Sequence, residues 1–191
     1  MTKYNKNFKN LLKLTLLVKL FIACGLTGEM KAKLESSAQN IQDEIDQIAK
    51  EAAEQGVKLE SHTDKATGGK VSENPFIFKA KIRAITVAEK FLKAIEEEAT
   101  SIKESGNSSQ FSAMNDLMLK TAASLEKIGI QNMTGTVSKA AEKTPPNTAE
   151  GVLEIVKAIK EKFQRVYKKN KDALDNLEKK NANNTSNGSS T

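Results

Sequence analysis

The chain has 191 residues, long enough for one domain with its own core and no need of disulfides. Hydrophobic residues are 38%, charged residues are 28% and tryptophan is absent, a balance that favours helices over a sandwich or barrel. The net charge of +6 divides unevenly: Lys3, Lys6, Lys9, Lys13 and Lys19 stand in the first 23 residues with no acid, leaving 25 cations against 24 acids in the rest. A bulk electrostatic argument for nucleic acid therefore fails, and only a local patch can carry a charge-based function. Cys24 and His62 are the sole residues of their types. They exclude an internal disulfide and a four-ligand structural zinc site, so neither a cofactor nor a metal is expected.

Residues 1–23 read as an export signal. Lysines up to Lys13 form a positive head, Leu14 to Ile22 a short apolar stretch interrupted by Lys19, and Ala23 a small residue. The apolar stretch is shorter than the roughly 20 residues that span a bilayer. Leu20-Phe21-Ile22-Ala23-Cys24 resembles a lipobox, with Phe21 in place of the strict leucine. Cys24 is then the expected lipidation site, residues 24–28 a tether, and the chain an exported lipoprotein held to the membrane by its lipid alone.

Helix one is predicted from about Glu29 to Glu54, with Leu34, Ala38, Ile41, Ile45, Ile48 and Ala52 on one stripe and Gly56 ending it. Residues 56–73 break the pattern, and Thr67-Gly68-Gly69 flanked by Lys65 and Lys70 reads as a long linker. Helix two begins at Asn74-Pro75, a cap followed by a first-turn proline, and its stripe is Phe78, Ile82, Ile85, Ala88, Leu92, Ile95, Ala99 and Ile102. After a turn at Gly106 to Ser109, helix three covers about Gln110 to Ile128, with Gly129 beyond its end. A short helix four carries Met133, Val137 and Ala140 and stops before Pro145-Pro146. Helix five, capped by Asn147 or Thr148, carries Val152, Val156, Ile159, Phe163, Val166, Asn170, Ala173 and Leu177. No segment alternates as a strand does. The expected fold is all-α: a five-helix bundle over residues 29–180, with a long linker between helices one and two and a disordered tail over 181–191.

Charge is concentrated in one place. Lys157, Lys160, Lys162, Arg165, Lys168, Lys169 and Lys171 lie within fifteen residues that hold a single acid, Glu161. This segment is about +6, so the rest of the chain after the signal is about −5. Lys162, Arg165 and Lys169 recur at spacings of three and four and share one face. Lys162 and Lys169 each precede a core position, and on helix two Lys81 precedes Ile82 in the same way. Side-by-side packing of helices two and five would set these three lysines along one groove, none of them buried. Lys168-Lys169-Asn170-Lys171 has the basic-basic-x-basic form that suits sulfated sugars. Nucleic acid fits poorly, because Tyr167 is the only aromatic in the run that lies off the core stripe. Basic residues also favour the C-terminal half of a helix for its dipole alone.

Longer runs carry a resemblance. VSENPF at 71–76, ITVAEKF at 85–91, AIEEEAT at 94–100, FSAMNDLM at 111–118, GVLEIVK at 151–157, KFQRV at 162–166 and NLLKLTLLV at 10–18 resemble the decorin-binding adhesin lipoproteins of spirochaetes, over almost the whole chain to about Lys171. Loose lipoboxes are usual among spirochaete lipoproteins. The resemblance implies a five-helix bundle on the outer membrane surface, facing the medium. It implies binding to host decorin and other proteoglycans through dermatan sulfate and heparin-like glycosaminoglycans, with Lys81, Lys162 and Lys169 at the centre. Arg165, Lys168, Lys171 and the linker lysines Lys65 and Lys70 would add attraction. This linker, HTDKATGGK, has fewer adjacent lysines than other members, and the tail after Asn181 is poor in lysine.

One rival expectation is a lipoprotein that binds a host protein directly, with the glycosaminoglycan secondary. An enzyme has little support: His62 lies in a linker, Cys24 is assigned to lipid, and Glu96-Glu97-Glu98 reads as a solvated helix face.

Overall fold

The computed structural model describes Leu26, residues 28–59 and residues 74–186, with side chains described as far as Lys180. The export signal, Cys24, the linker with His62, Lys65 and Lys70, and the last five residues lie outside the described residues. Five helices follow in order: α1 (Gly28–Glu54), α2 (Pro75–Ser101), α3 (Ser108–Lys127), α4 (Met133–Lys143) and α5 (Ala149–Ser186). No strand occurs among the described residues.

Local chemistry sets most of the ends. Gly56 (φ +66°) and Gly129 (φ +83°) adopt the left-handed conformation that closes a helix, where a Cβ would be strained. Behind each, the next residue donates back: Val57 N–H to the Ala52 carbonyl at 2.8 Å and Ile130 N–H to the Leu125 carbonyl at 3.2 Å. Those are Schellman closures. Asn74 caps α2 by accepting from the Phe76 amide at 2.9 Å, one residue before Pro75. The α3 start lies two residues earlier than expected, because Asn107 and Gln110 form a reciprocal capping box at 3.0 and 2.9 Å. Thr148 caps α5 through the Gly151 amide at 3.1 Å. In α4 the cap is borrowed. Asn132 is left-handed and caps nothing, and Glu126 of α3 accepts from both the amide and the hydroxyl of Thr134, each at 2.9 Å.

Ion pairs fix the packing directions. Lys33 reaches Glu97 and Glu98 at 3.0 and 2.9 Å, and Arg83 reaches Glu44 and Glu51 at 2.7 and 2.6 Å, so α1 and α2 run antiparallel. Lys103 pairs with Glu150 at 3.2 Å and Lys160 pairs with Glu96, so α2 and α5 are antiparallel too. The start of α1, the end of α2 and the start of α5 therefore share one end of the bundle. The end of α1, the start of α2 and the C-terminal half of α5 share the other.

The core lies where α2 meets its neighbours. Phe91, Met114, Met118 and Phe163 are fully enclosed, each contributing roughly 1.5–3 kcal/mol by burial. The expected stripes are largely buried, but α2 departs from its pattern. It packs against α1 and α5 and also touches α3, so its buried arc is broad: Ile77, Phe78, Ala80, Ala84, Ile85, Ala88, Phe91, Leu92, Ala94, Ile95 and Ala99. Ile82 is only half-buried, and Lys81 takes the place in that arc expected for it.

The α5 helix continues to Ser186, six residues into the stretch expected to be a disordered tail. Asn, Thr and Ser are poor helix formers, yet extending a long helix needs only one hydrogen bond per added residue. At 38 residues α5 spans about 57 Å, against about 40 Å for the 27 residues of α1 or α2. Among the described side chains its last buried position is Leu174, so the stretch from there to Lys180 overhangs its neighbours.

Candidate anion-binding face of helix α5

Helix α5 presents its seven basic residues on two flanks and on its outer face, and the flanks differ. On the flank toward α2, Lys160 is held by Glu96, and Lys157 lies 3.9 Å from Glu154. An open cleft of about 710 Å³ there is lined by Glu96, Glu150, Glu154 and Glu161 beside those two lysines. This flank is neutralised or acidic. Farther along, Lys171 donates to Asp175 at 3.0 Å, and that hydrogen bond, with the carboxylate charge, raises the Lys171 pKa above its ordinary value.

The other flank is different. Lys162 is half-buried, while Arg165, Lys168 and Lys169 are exposed. Among the described residues, Lys162, Arg165 and Lys168 enter no ion pair. Lys162 and Arg165 line a second groove of about 300 Å³, between α4 and α5, whose α4 wall carries Lys139 and Lys143 with Asn132 and Thr136. Glu154 and Glu161 complete it.

Lys81 is not where the sequence pattern put it. It is 2% exposed, one of the most enclosed large side chains in the molecule. The cause is its phase: residues 77, 78, 81, 84, 85 and 88 fall on one helical face, and that face is covered. The antiparallel register of α2 and α5 carries Lys81 to the level of the buried Asn170 and Leu174, the same end as Lys169. A buried ammonium is tolerated only with polar or charged company, and neither Lys81 nor Lys169 lacks a partner. Lys162 and Lys169 are thus on a reachable face whereas Lys81 is enclosed, so a triple substitution would disturb the core as well as that face. Asn170 closes the core seam beside Lys169, its amide donating to the Val166 carbonyl at 2.7 Å.

Sequence reasoning missed Lys139 and Lys143. A signal was available, since the two are four residues apart on α4, away from the buried Met133, Val137 and Ala140. It became meaningful only once α4 lay against α5.

Among the described residues no group of three His, Cys, Asp or Glu side chains is placed to hold a metal, and no helix is long and apolar enough to cross a membrane.

A family model described as decorin binding protein matches residues 29–188. The chain belongs to the decorin-binding protein family. Decorin-binding protein A of Borreliella burgdorferi strain B31 is 62% identical over 166 residues, 87% of each chain. Decorin-binding protein B of the same strain is 42% identical over 90% of this chain and 93% of its own. The solved structure of decorin-binding protein A from Borrelia burgdorferi strain N40 superposes with a TM-score of 0.66 at 55% identity, covering 78% of this chain and 90% of that one. The counterpart from Borrelia garinii strain PBr gives 0.59 at 57% identity, covering 82% and 96%. The five-helix bundle is thus the fold of the decorin-binding proteins, and the family identification made from the sequence runs holds.

Proposed function

We propose that this protein is a lipid-anchored surface adhesin that binds decorin and related host proteoglycans through their sulfated glycosaminoglycan chains, dermatan sulfate and heparin-like chains among them. The observation that carries the reading is the sorting of α5: its cations toward α2 are matched by acids, whereas Lys162, Arg165 and Lys168 stand without ion pairs on an open face. Sulfates meet such ammonium and guanidinium groups as point charges or bidentate pairs, with counterion release adding a salt-dependent drive. Lys169 extends the field along the same stretch, Lys171 stands near it paired with Asp175, and Lys65 and Lys70 would add to the field from the linker.

The anchor fits the same picture. Cys24 precedes the start of α1, and that start lies at the end of the bundle opposite the C-terminal half of α5. Acyl chains on Cys24 would then hold that end near the membrane and present the C-terminal half of α5 outward. The role is binding and not catalysis.

Decorin titrated with and without its glycosaminoglycan chain tests the proposal. Binding that disappears when the chain is removed enzymatically supports it. Undiminished binding to the bare core protein assigns recognition to a protein surface instead.

A further inference from the structure

We propose that the anion track does not end on α5 but turns into the groove between α4 and α5, where Lys139 and Lys143 contact a longer stretch of the same linear sulfated chain. This rests on the glycosaminoglycan reading above and extends its footprint. Lys139 and Lys143 are exposed on one wall, and Lys162 and Arg165 stand on the other. None of the four is in an ion pair among the described residues.

The groove is continuous with the α5 face. The α4 and α5 helices form a hairpin, and shared lining residues place Asn132 near Arg165 at one end and Lys143 near Glu154 at the other. Lys162 to Lys169 spans about 10 Å of helix, whereas Lys169 to the level of Lys143 spans roughly 22 Å. A chain long enough to follow the track passes Lys169, Arg165 and Lys162 and then runs between the two walls.

The groove also contains two carboxylates, which sets the kind of chain it takes. Glu154 and Glu161 repel sulfate but accept hydrogen bonds from sugar hydroxyls or amide N–H groups. Thr136 donates its hydroxyl to the Asn132 carbonyl at 2.8 Å, leaving its oxygen lone pairs to accept. Each wall carries both cations and acceptors: from the Asn132 end, Arg165 and Lys162 come before Glu161 and Glu154 along α5, and Asn132 and Thr136 come before Lys139 and Lys143 along α4. That suits a polysaccharide in which sulfates are spaced by hydroxyl-bearing sugars, and suits a uniformly dense polyanion less well.

The test is length-resolved binding of dermatan sulfate to the full-length protein. Fragments spanning about 10 Å and fragments spanning more than about 22 Å are titrated against the unsubstituted protein, a Lys139→Ala/Lys143→Ala variant, and a Lys31→Ala/Lys93→Ala control that removes equal charge elsewhere. The expected result is a loss of about tenfold for long fragments in the first variant, little change for short ones, a shallower salt dependence, and no comparable loss in the control. Equal losses for short and long fragments, or no loss for either, overturns the extended track while leaving the α5 face standing. No binding of either length by the unsubstituted protein overturns the glycosaminoglycan reading and the track with it.

Discussion

The Arg83 guanidinium grips the Glu51 carboxylate at two points, Nη1 to Oε2 at 2.6 Å and Nη2 to Oε1 at 3.2 Å, joining the last turns of α1 to the third turn of α2. A second carboxylate, Glu44, stands 2.7 Å from the same guanidinium. This clamp sits where α1 ends and α2 begins, so it fixes both roots of the linker and the helix that carries Lys81. Lysine cannot reproduce the two-point grip. Arg83→Lys is therefore expected to lower the thermal midpoint by about 2–4 °C, and Arg83→Ala by no less. Calorimetric melting of the two variants checks this, and unchanged midpoints would show that the clamp is ornamental.

The same clamp gives a pH dependence with a defined sign. Hydrogen bonds from Arg83, then from Gln47, hold the Glu51 carboxyl below its usual pKa, and Lys33 does the same for Glu97. A lowered carboxyl stabilises the fold above the unfolded value of about 4.3, and that contribution is lost as pH falls through the folded value. Lys33 is raised by its hydrogen bonds to Glu98 and Glu97, so its contribution is complete below about 10.4 and lost as pH rises through the folded value. Urea midpoints should be flat between about pH 5 and 9 and fall below about pH 4, less steeply in Arg83→Ala. An identical acid slope in that variant would remove Glu51 from the account.

Gly151 lies against the turn that leads into α5. A Cβ built there would meet the Pro145 carbonyl oxygen at 1.9 Å and its carbon at 2.6 Å. Both are backbone atoms in a proline pair, with little freedom to move aside. Gly151→Ala is expected to cost about 2–4 kcal/mol, well above the effect of a surface alanine. Chemical denaturation measures it, and a change below about 0.5 kcal/mol would mean that the turn yields.

The three lysines first grouped together should separate by stability. Lys81→Ala removes an enclosed side chain and is expected to cost about 1–3 kcal/mol, whereas Lys162→Ala and Lys169→Ala should stay within about 0.5 kcal/mol. Denaturant midpoints of the single variants decide this. Equal midpoints for all three would place Lys81 back at the open face.

What could be read from the chain and what could not divide along physical lines. Gly56, Gly129 and Asn74-Pro75 were legible because a cap is made by residues adjacent in sequence. The core stripes of α1, and of α5 as far as Asn170, were legible because each helix buries a defined face; beyond that point Leu174 is buried and the expected Ala173 and Leu177 are only half-buried. Helix α2 was read less well: it packs against several neighbours, its buried arc widened, and Lys81 fell inside it where Ile82 had been expected. The sequence marks the phase of residue 81 but not how many neighbours cover it. The Glu126 cap on Thr134 joins residues eight apart across a turn, and the groove holding Lys139 beside Lys162 depends on how α4 folds back. In the same way the sequence sorted the α5 cations by face but not by partner: Lys157–Glu154 and Lys171–Asp175 are local to the helix, whereas Lys160–Glu96 depends on how α2 packs against α5.

The central claim is that the open flank of α5 binds sulfated glycosaminoglycan. The most direct measurement is dermatan sulfate binding by the soluble protein beginning after Cys24, across a salt series, for the unsubstituted form and for Lys162→Ala/Lys169→Ala. Tight binding that weakens steeply with salt is predicted, with a loss of about tenfold or more and a shallower salt slope in the double variant at unchanged stability. Equal affinity and equal slope in the two proteins would contradict the claim.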